Sequence, residues 1–269
     1  MKKLIIFLVA LVSLTTAYCQ TANEYFDMGV SKYNLKDHRG SIADFTKAIE
    51  IDPNNADAYY NRARSKYYLG DYRGAIADCT KVIEIEPNFK LAYYNRGKNK
   101  SKLKDNRGLI ADYTKEIEID PNYSKAYFKR GNGKYSLKDH RGSIADYTKA
   151  IKIDPNYATA YYNRGITKGK LEDQRGAIAD YTKAIEIDPN YTDAYYKRGI
   201  NKSELKDNRG SIADYTKVIE IDPNYTDAYY KRGVLKLNLG QIDSGCLDLS
   251  KAGELGYGQA YDLIKEKCN

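Results

Sequence analysis

Few residues in this chain could carry bond-making chemistry. There are two histidines, His38 and His140, 102 residues apart. A general base or a metal ligand needs partners within hydrogen-bonding or coordination reach, and no second histidine or cysteine stands at ligand spacing from either. The four cysteines, Cys19, Cys79, Cys246 and Cys268, also lack that spacing. The glycines follow no strand pattern that would make a phosphate loop. The expectation is therefore a non-catalytic chain with no cofactor and no metal site. What does recur is a pair of opposite charges. Arginine returns at 62, 96, 130, 164, 198 and 232, and aspartate at 44, 78, 112, 146, 180, 214 and 248. Their chemistry would be ion pairing, since a guanidinium can hold a carboxylate through two parallel bonds.

The elements that place these charges follow from one period. All six prolines (Pro53, Pro87, Pro121, Pro155, Pro189 and Pro223) stand 34 residues apart. A fixed period of this length is the signature of a stacked array of helix–turn–helix units. In the unit covering 192–225, Tyr195, Gly199 and Leu205 lie at helical steps along a first helix, and Ile212, Tyr215, Ile219 and Ile221 along a second. Asp207 and Gly210 read as a turn with an N-cap. Asp222-Pro223 ends the second helix, because proline disfavours helical geometry in its predecessor and has no amide to donate. A pair of this size cannot bury its own apolar face and must stack on its neighbours.

The full pattern resembles the tetratricopeptide repeat family across about residues 22–259. The family asks for an aromatic, small residues at the helix crossing, a second aromatic, a small residue and a closing proline. Tyr195, Gly199, Ser211, Tyr215 and Pro223 supply most of these; the small position before the proline is Val218 here and alanine at Ala48, Ala150 and Ala184. The fold expected is all-α: a right-handed superhelical solenoid of seven helix pairs closed by a capping helix. The repeats run at about 22–55, 56–89, 90–123, 124–157, 158–191, 192–225 and 226–257, within a 20–257 array, and 258–269 forms the cap. The third repeat departs most, with Leu109 and Glu116 at small positions. The stem of Glu116 is expected to snorkel so that its charge reaches solvent. KDHRGSIAD occurs at 36–44 and 138–146, and RGAIAD at 73–78 and 175–180. Both offsets equal three repeats, which points to duplication of a three-repeat block.

The resemblance implies that the recurring arginines and aspartates lie on facing helices as a structural ladder. It also implies a concave groove lined by the first helices. The groove aromatics would be Tyr60, Tyr94, Phe128, Tyr162, Tyr196 and Tyr230, either gripping a peptide or packing between neighbouring first helices. The first half of the groove would be basic and polar, through Arg64, Asn95, Lys98, Lys102, Lys125 and Lys129. The second half would be aliphatic and mildly acidic, through Ile166, Ile200 and Val234 with Asp193, Glu204 and Asp227. That surface suits a protein or peptide ligand with an acidic and an apolar part. Asn95, Lys125 and Lys129 match three positions with which some family members clamp a chaperone C-terminus, but Tyr60 and Arg64 replace two others. The expected function is a protein-binding scaffold or assembly factor. The alternative is a structural spacer, or an accessory subunit of an envelope enzyme complex bound through its convex face.

Residues 1–19 read as an export signal: Lys2 and Lys3, then LIIFLVALVSL, then short residues. That apolar run is too short to span a membrane as an anchor. Cleavage after Ala17 or Cys19, and an uncleaved N-terminal anchor, are the readings open here. The mature chain is expected to be periplasmic or extracellular. Without Lys2 and Lys3 it carries 42 basic and 36 acidic residues, interleaved rather than clustered, so no basic face for nucleic acid is expected. Cys246 and Cys268 would face each other if the cap folds back on the last helix, and export permits a disulfide there; two unpaired thiols are the alternative. Cys79, at a core aromatic position, is expected to be a buried, inert thiol.

Overall fold

The computed structural model describes residues 21–268, so the expected signal segment lies outside the described residues. It divides into two compact units between Pro121 and Asn122. The first holds three helix pairs: α1 (Ala22–Asn34) with α2 (His38–Ile51), α3 (Ala56–Tyr68) with α4 (Tyr72–Ile85), and α5 (Lys90–Lys102) with α6 (Asn106–Ile119). The second holds four pairs and a final helix: α7 (Ser124–Ser136) with α8 (His140–Ile153), α9 (Ala158–Lys170) with α10 (Gln174–Ile187), α11 (Thr192–Glu204) with α12 (Asn208–Ile221), α13 (Thr226–Asn238) with α14 (Ile242–Glu254), and α15 (Gln259–Lys267). Within each unit every helix packs on its neighbours in sequence. The described residues contain no strand. The division falls at the end of the third repeat, where the duplicated block also ends.

Local chemistry sets the helix ends. Each second helix from α2 to α12 starts behind an aspartate, as at Asp207, whose carboxylate accepts the Gly210 amide at 2.9 Å. A Cβ on Gly210 would stand 2.2 Å from that carboxylate, so a larger residue there would have to turn the aspartate aside. Each of these helices stops one residue before the Asp-Pro or Glu-Pro pair. Asp222 there is extended (φ −126°, ψ 95°), as the residue before a proline must be. His38 and His140 are the first residues of α2 and α8.

In five of the seven pairs the helices cross where a glycine meets a ring, and in the last pair Gly233 meets Leu249. A Cβ on Gly131 would lie 2.8 Å from the Tyr147 ring, and one on Gly199 2.9 Å from Tyr215. The second pair reaches the same fit differently: Ala63 fills the glycine position and Cys79 replaces the ring, both buried in one cluster with Ala75. Burial pushes the Cys79 thiol up to about 12, which suits an inert side chain.

The close crossing brings the recurring charges together. Arg62, Arg96, Arg130, Arg164, Arg198 and Arg232 each hold the aspartate sixteen residues ahead, with Nη2···Oδ1 distances of 2.6–2.8 Å. Arg Nε donates to the same carboxylate, so the grip is two-pronged. The lysine one turn beyond each arginine contacts Oδ2 of the same carboxylate, as Lys168 does Asp180 at 2.8 Å. The sequence reading missed the link to the preceding repeat. Arg164 Nη1 donates to Thr148 Oγ1 at 3.0 Å, as Arg62 does to Thr46 and Arg232 to Thr216. Each threonine hydroxyl in turn donates to a carbonyl of its own helix, as Thr148 does to Ile144. The ladder therefore ties neighbouring pairs as well as the two helices of one pair.

Glu116 corrects the sequence expectation. Its carboxylate does not reach solvent; the residue is 0% exposed and neither oxygen has a hydrogen-bond partner. A two-methylene stem is too short to leave a position buried on all sides. Burial pushes its carboxyl up to about 8, against the pull of Lys90, which ion-pairs with Asp120 at 2.7 Å. At the C-terminus, Ala260 of α15 packs with Leu249 and Ala252, and Tyr257 stacks on Tyr230 at 4.3 Å. Cys246 and Cys268 are joined, with Cα atoms 5.9 Å apart.

Three outcomes follow. Arg164→Leu should cost about 3 kcal/mol, because it strips a buried Asp180 of its main partner, whereas Lys183→Ala, at an exposed pair with Glu186, should leave thermal melting unchanged. Glu116→Ala should stabilise the protein by roughly 1–3 kcal/mol at neutral pH by removing an unsatisfied buried carboxyl group. The folded Glu116 binds its proton more tightly than the unfolded one. Its share of stability is thus intact below pH 4.5 and lost as pH climbs to about 8, and the alanine variant should flatten that slope in melts across pH. Opening the 22-residue Cys246–Cys268 loop with a reductant should cost about 3 kcal/mol and raise amide exchange in α15. A count of reactive thiols in unfolded, unreduced mature protein that includes both Cys246 and Cys268 would exclude the bond.

Candidate partner-binding surface

The first helices carry the residues proposed for a groove, and the structure sorts them into two kinds. The aromatics are largely packing elements. Phe128 lies 5.8 Å from Tyr147 of its own pair and 4.9 Å from Tyr157, which leads into the next pair. Tyr162 is held by Tyr181 and Tyr191, and Tyr196 by Tyr215 and Tyr225, at the same spacings within 0.2 Å. Tyr60 packs on Phe89 at 5.2 Å, Tyr94 on Tyr113 at 5.9 Å, and Tyr230 on Tyr257. Phe128 and Tyr196 are buried and the rest half-buried. Every ring of the stripe thus makes packing contacts, and four of the six keep part of their surface exposed. The aromatic N-caps of the later first helices explain the packing: Tyr157, Tyr191 and Tyr225 make no side-chain cap and pack on the preceding pair instead.

The polar and aliphatic positions behave differently, because they line recesses between consecutive first helices. In the first unit a cavity of about 200 Å³ is lined by Tyr33, Ala63, Arg64, Tyr67, Tyr68, Asn95, Lys98 and Asn99. In the second unit, one of about 270 Å³ is lined by Asn132, Tyr135, Ser136, Tyr147, Asn163 and Ile166. Another there, of about 290 Å³, is lined by Ile200, Ser203, Glu204, Tyr215, Tyr230, Lys231, Val234 and Leu235. These are one site repeated: Arg64, Asn132 and Ile200 are equivalent in register, as are Lys98, Ile166 and Val234. The chemistry changes while the place stays fixed. It is cationic and aromatic in the first, amide and aliphatic in the second, and aliphatic with one acid in the third.

Geometry inside each recess follows its side chains. Arg64 lies over the Tyr33 ring at 4.5 Å, donates to the Tyr33 hydroxyl at 3.0 Å and to Asn61 Oδ1 at 3.0 Å. Lys98 Nζ stands 3.8 Å from the centre of the Tyr67 ring. His38 stacks on Tyr68 at 4.7 Å. In the second recess, the Tyr147 hydroxyl and Asn163 Nδ2 both donate to Asn132 Oδ1, at 2.7 and 3.3 Å. Burial raises the phenols of Tyr33 and Tyr60 above their ordinary value and lifts Tyr215 to about 12, so these rings are neutral donors at physiological pH.

Of the remaining expected residues, Lys102 and Lys125 are exposed, and Lys129 lies over the Phe128 ring at 5.7 Å. Asn95 belongs to the first unit and Lys125 and Lys129 to the second. Asp193 and Asp227 are exposed on first turns, and Glu204 lines the third recess. Sequence reasoning missed Tyr33, Tyr67, Tyr68, His38 and Asn99. The signal was available, because the last turn of the first helix reads Tyr-Tyr at 67–68 and Ser-Lys, Tyr-Ser, Gly-Lys and Ser-Glu in the following four repeats.

Comparisons with known proteins follow the repeats. A family model described as TPR repeat matches residues 22–67, 132–172 and 204–240, and one described as tetratricopeptide repeat matches 56–89 and 158–191. No curated protein sequence matches the chain. Among solved structures, it is similar to the crystal structure of MamA at 28% identity, covering 61% of this chain and 96% of that one with a TM-score of 0.58. It is similar to YrrB, described as a TPR protein with an unusual peptide-binding site, at 23% identity over 70% of this chain and 97% of that one, with a TM-score of 0.61. The C-terminal part of a TPR repeat-containing protein from Cytophaga hutchinsonii shares its fold with a TM-score of 0.77 at 18% identity, over 88% of this chain and 98% of that one. The two family models together span more than half of the chain, and with the periodic glycine–aromatic crossings they show that it belongs to the tetratricopeptide repeat family.

Proposed function

We propose that this chain is a non-catalytic protein-interaction scaffold that holds an extended segment of a partner against its first helices. One observation carries the reading: the recess between consecutive first helices recurs at a fixed register while its lining changes from cationic to aliphatic. Positions that hold the stack mostly keep their residue types: the crossing glycine gives way only to Ala63, the ladder arginine only to Met28 and the capping aspartate only to Gln241. Positions that vary at a constant place are where a ligand is read side chain by side chain. YrrB, a relative in fold, is described as having a peptide-binding site, which supports the class of ligand. We place the protein outside the cytoplasm. The segment 1–19 supports export, and a disulfide at the C-terminal cap suits an oxidising compartment.

The competing reading, a spacer or accessory subunit bound through the second helices, draws little support from that face. Its recurrent charges are exposed i,i+3 pairs such as Lys81–Glu84 and Lys217–Glu220, which neutralise each other in solvent. Capture of partners from the native envelope fraction separates the two. The Lys98→Glu, Lys102→Glu, Lys125→Glu variant should lose the partner that wild type retains, while Lys81→Glu, Lys217→Glu should keep it. The opposite pattern would assign binding to the second helices.

A further inference from the structure

The first-unit recess differs from its register equivalents in a way that names its occupant. Along the first helices the equivalent position reads Val30, Arg64, Lys98, Asn132, Ile166, Ile200 and Val234, so its two cations are consecutive and face one recess. The ladder cations beside them are neutralised, Arg62 and Lys66 by Asp78 and Arg96 and Lys100 by Asp112. Arg64 and Lys98 have no carboxylate in ion-pair reach among the described residues. Ring faces and neutral oxygens hold them instead, which fixes a cation without cancelling its charge. Arg64 uses two of its five N–H groups on Asn61 and Tyr33, and three remain.

The floor is special too. In the second unit the ring of Tyr147 or Tyr215 reaches the recess, but the corresponding residue in the second pair is Cys79, which stops short and leaves Ala63 and Asn99 as lining. The rim carries Tyr68, 59% exposed and backed by His38. At about 200 Å³ the space is below the roughly 300–1,000 Å³ of a site for a whole small molecule, so it takes one side chain.

We propose that this recess seats an aspartate or glutamate side chain of an extended partner peptide between Arg64 and Lys98, with the adjoining residue of that peptide lying flat on Tyr68. The inference rests on the reading that the first helices bind a peptide. It assigns the acidic contact to Arg64 and Lys98, rather than to the Asn95, Lys125 and Lys129 set.

The test uses two end-capped peptides, Gly-Ser-Asp-Tyr-Ser-Gly and the same with Asn for Asp, titrated into isotope-labelled mature protein and followed by amide NMR. The Asp peptide should give saturable shifts at residues 64–68 and 95–99. The Asn peptide and the Arg64→Gln, Lys98→Gln variant should each weaken binding by roughly tenfold or more, the effect of removing a charge-assisted contact. Arg64→Lys should keep most of it, and thermal melting of both variants should match wild type, since the ladder is untouched. Equal binding of the two peptides, or Asp-peptide shifts confined to the recess at Ile200 and Val234, would overturn this assignment and leave the first-helix reading standing. Shifts confined to the second helices would overturn both. No saturable shift anywhere overturns the acidic seat, and the envelope capture then judges the first-helix reading alone.

Discussion

The close approach of the two helices in each pair is the constraint on which the rest depends. In five of the seven pairs it exists because a glycine meets a ring, as at Gly165 and Tyr181, where a Cβ would come within 2.8 Å. The arginine stands immediately before that glycine and the aspartate immediately before that ring. The same crossing that packs the ring therefore sets guanidinium against carboxylate at two-bond distance. A buried carboxylate costs several kcal/mol unless it is paired and hydrogen-bonded. Here Asp180 accepts from Arg164 on both oxygens and from Lys168 on Oδ2, and Arg164 still reaches Thr148. Packing and electrostatics are one contact, repeated.

That dependence explains why departures are paired or costly. In the second pair Ala63 needs more room than glycine, and Cys79 gives up the ring; the crossing survives. The same exchange removes the phenol that reaches the equivalent recesses elsewhere, so a change in the core alters a surface site. Glu116 has no such compensation. It occupies a position that Ala48, Ala150 and Ala184 fill with full burial, and it has no partner for either oxygen. Its unit ends at Pro121, just beyond the helix that carries it.

The surface that reads a partner is what remains once the frame has taken its residues. The rings from Tyr60 to Tyr230 pack within the array: Phe128, Tyr162 and Tyr196 meet the tyrosine leading into the next pair, and Tyr94 meets Tyr113 of its own pair. The residues left free to vary are the ones beside the crossing and one turn on, where Arg64 and Lys98 give way to Asn132 and Ile166 and then to Ile200 and Val234. Their backbone placement is common to all; only the side chains differ.

The chain's period, helix ends, glycine–aromatic crossings and Arg–Asp pairing were legible in the sequence, because each depends on contacts within a single repeat and repeats in register. Asp207 with Gly210 can be paired by spacing alone, and Arg198 with Asp214 through the resemblance to the repeat family. Contacts between repeats were not legible. Whether Tyr162 faces a ligand or the next repeat's Tyr191, whether Glu116 can reach water, and that Thr148 accepts from Arg164 depend on how adjacent pairs stack. The recess at Arg64 belongs to this second kind: residues 33, 67 and 98 come from three repeats, and only their juxtaposition turns two lysine-like positions and a tyrosine pair into one cationic, ring-walled seat.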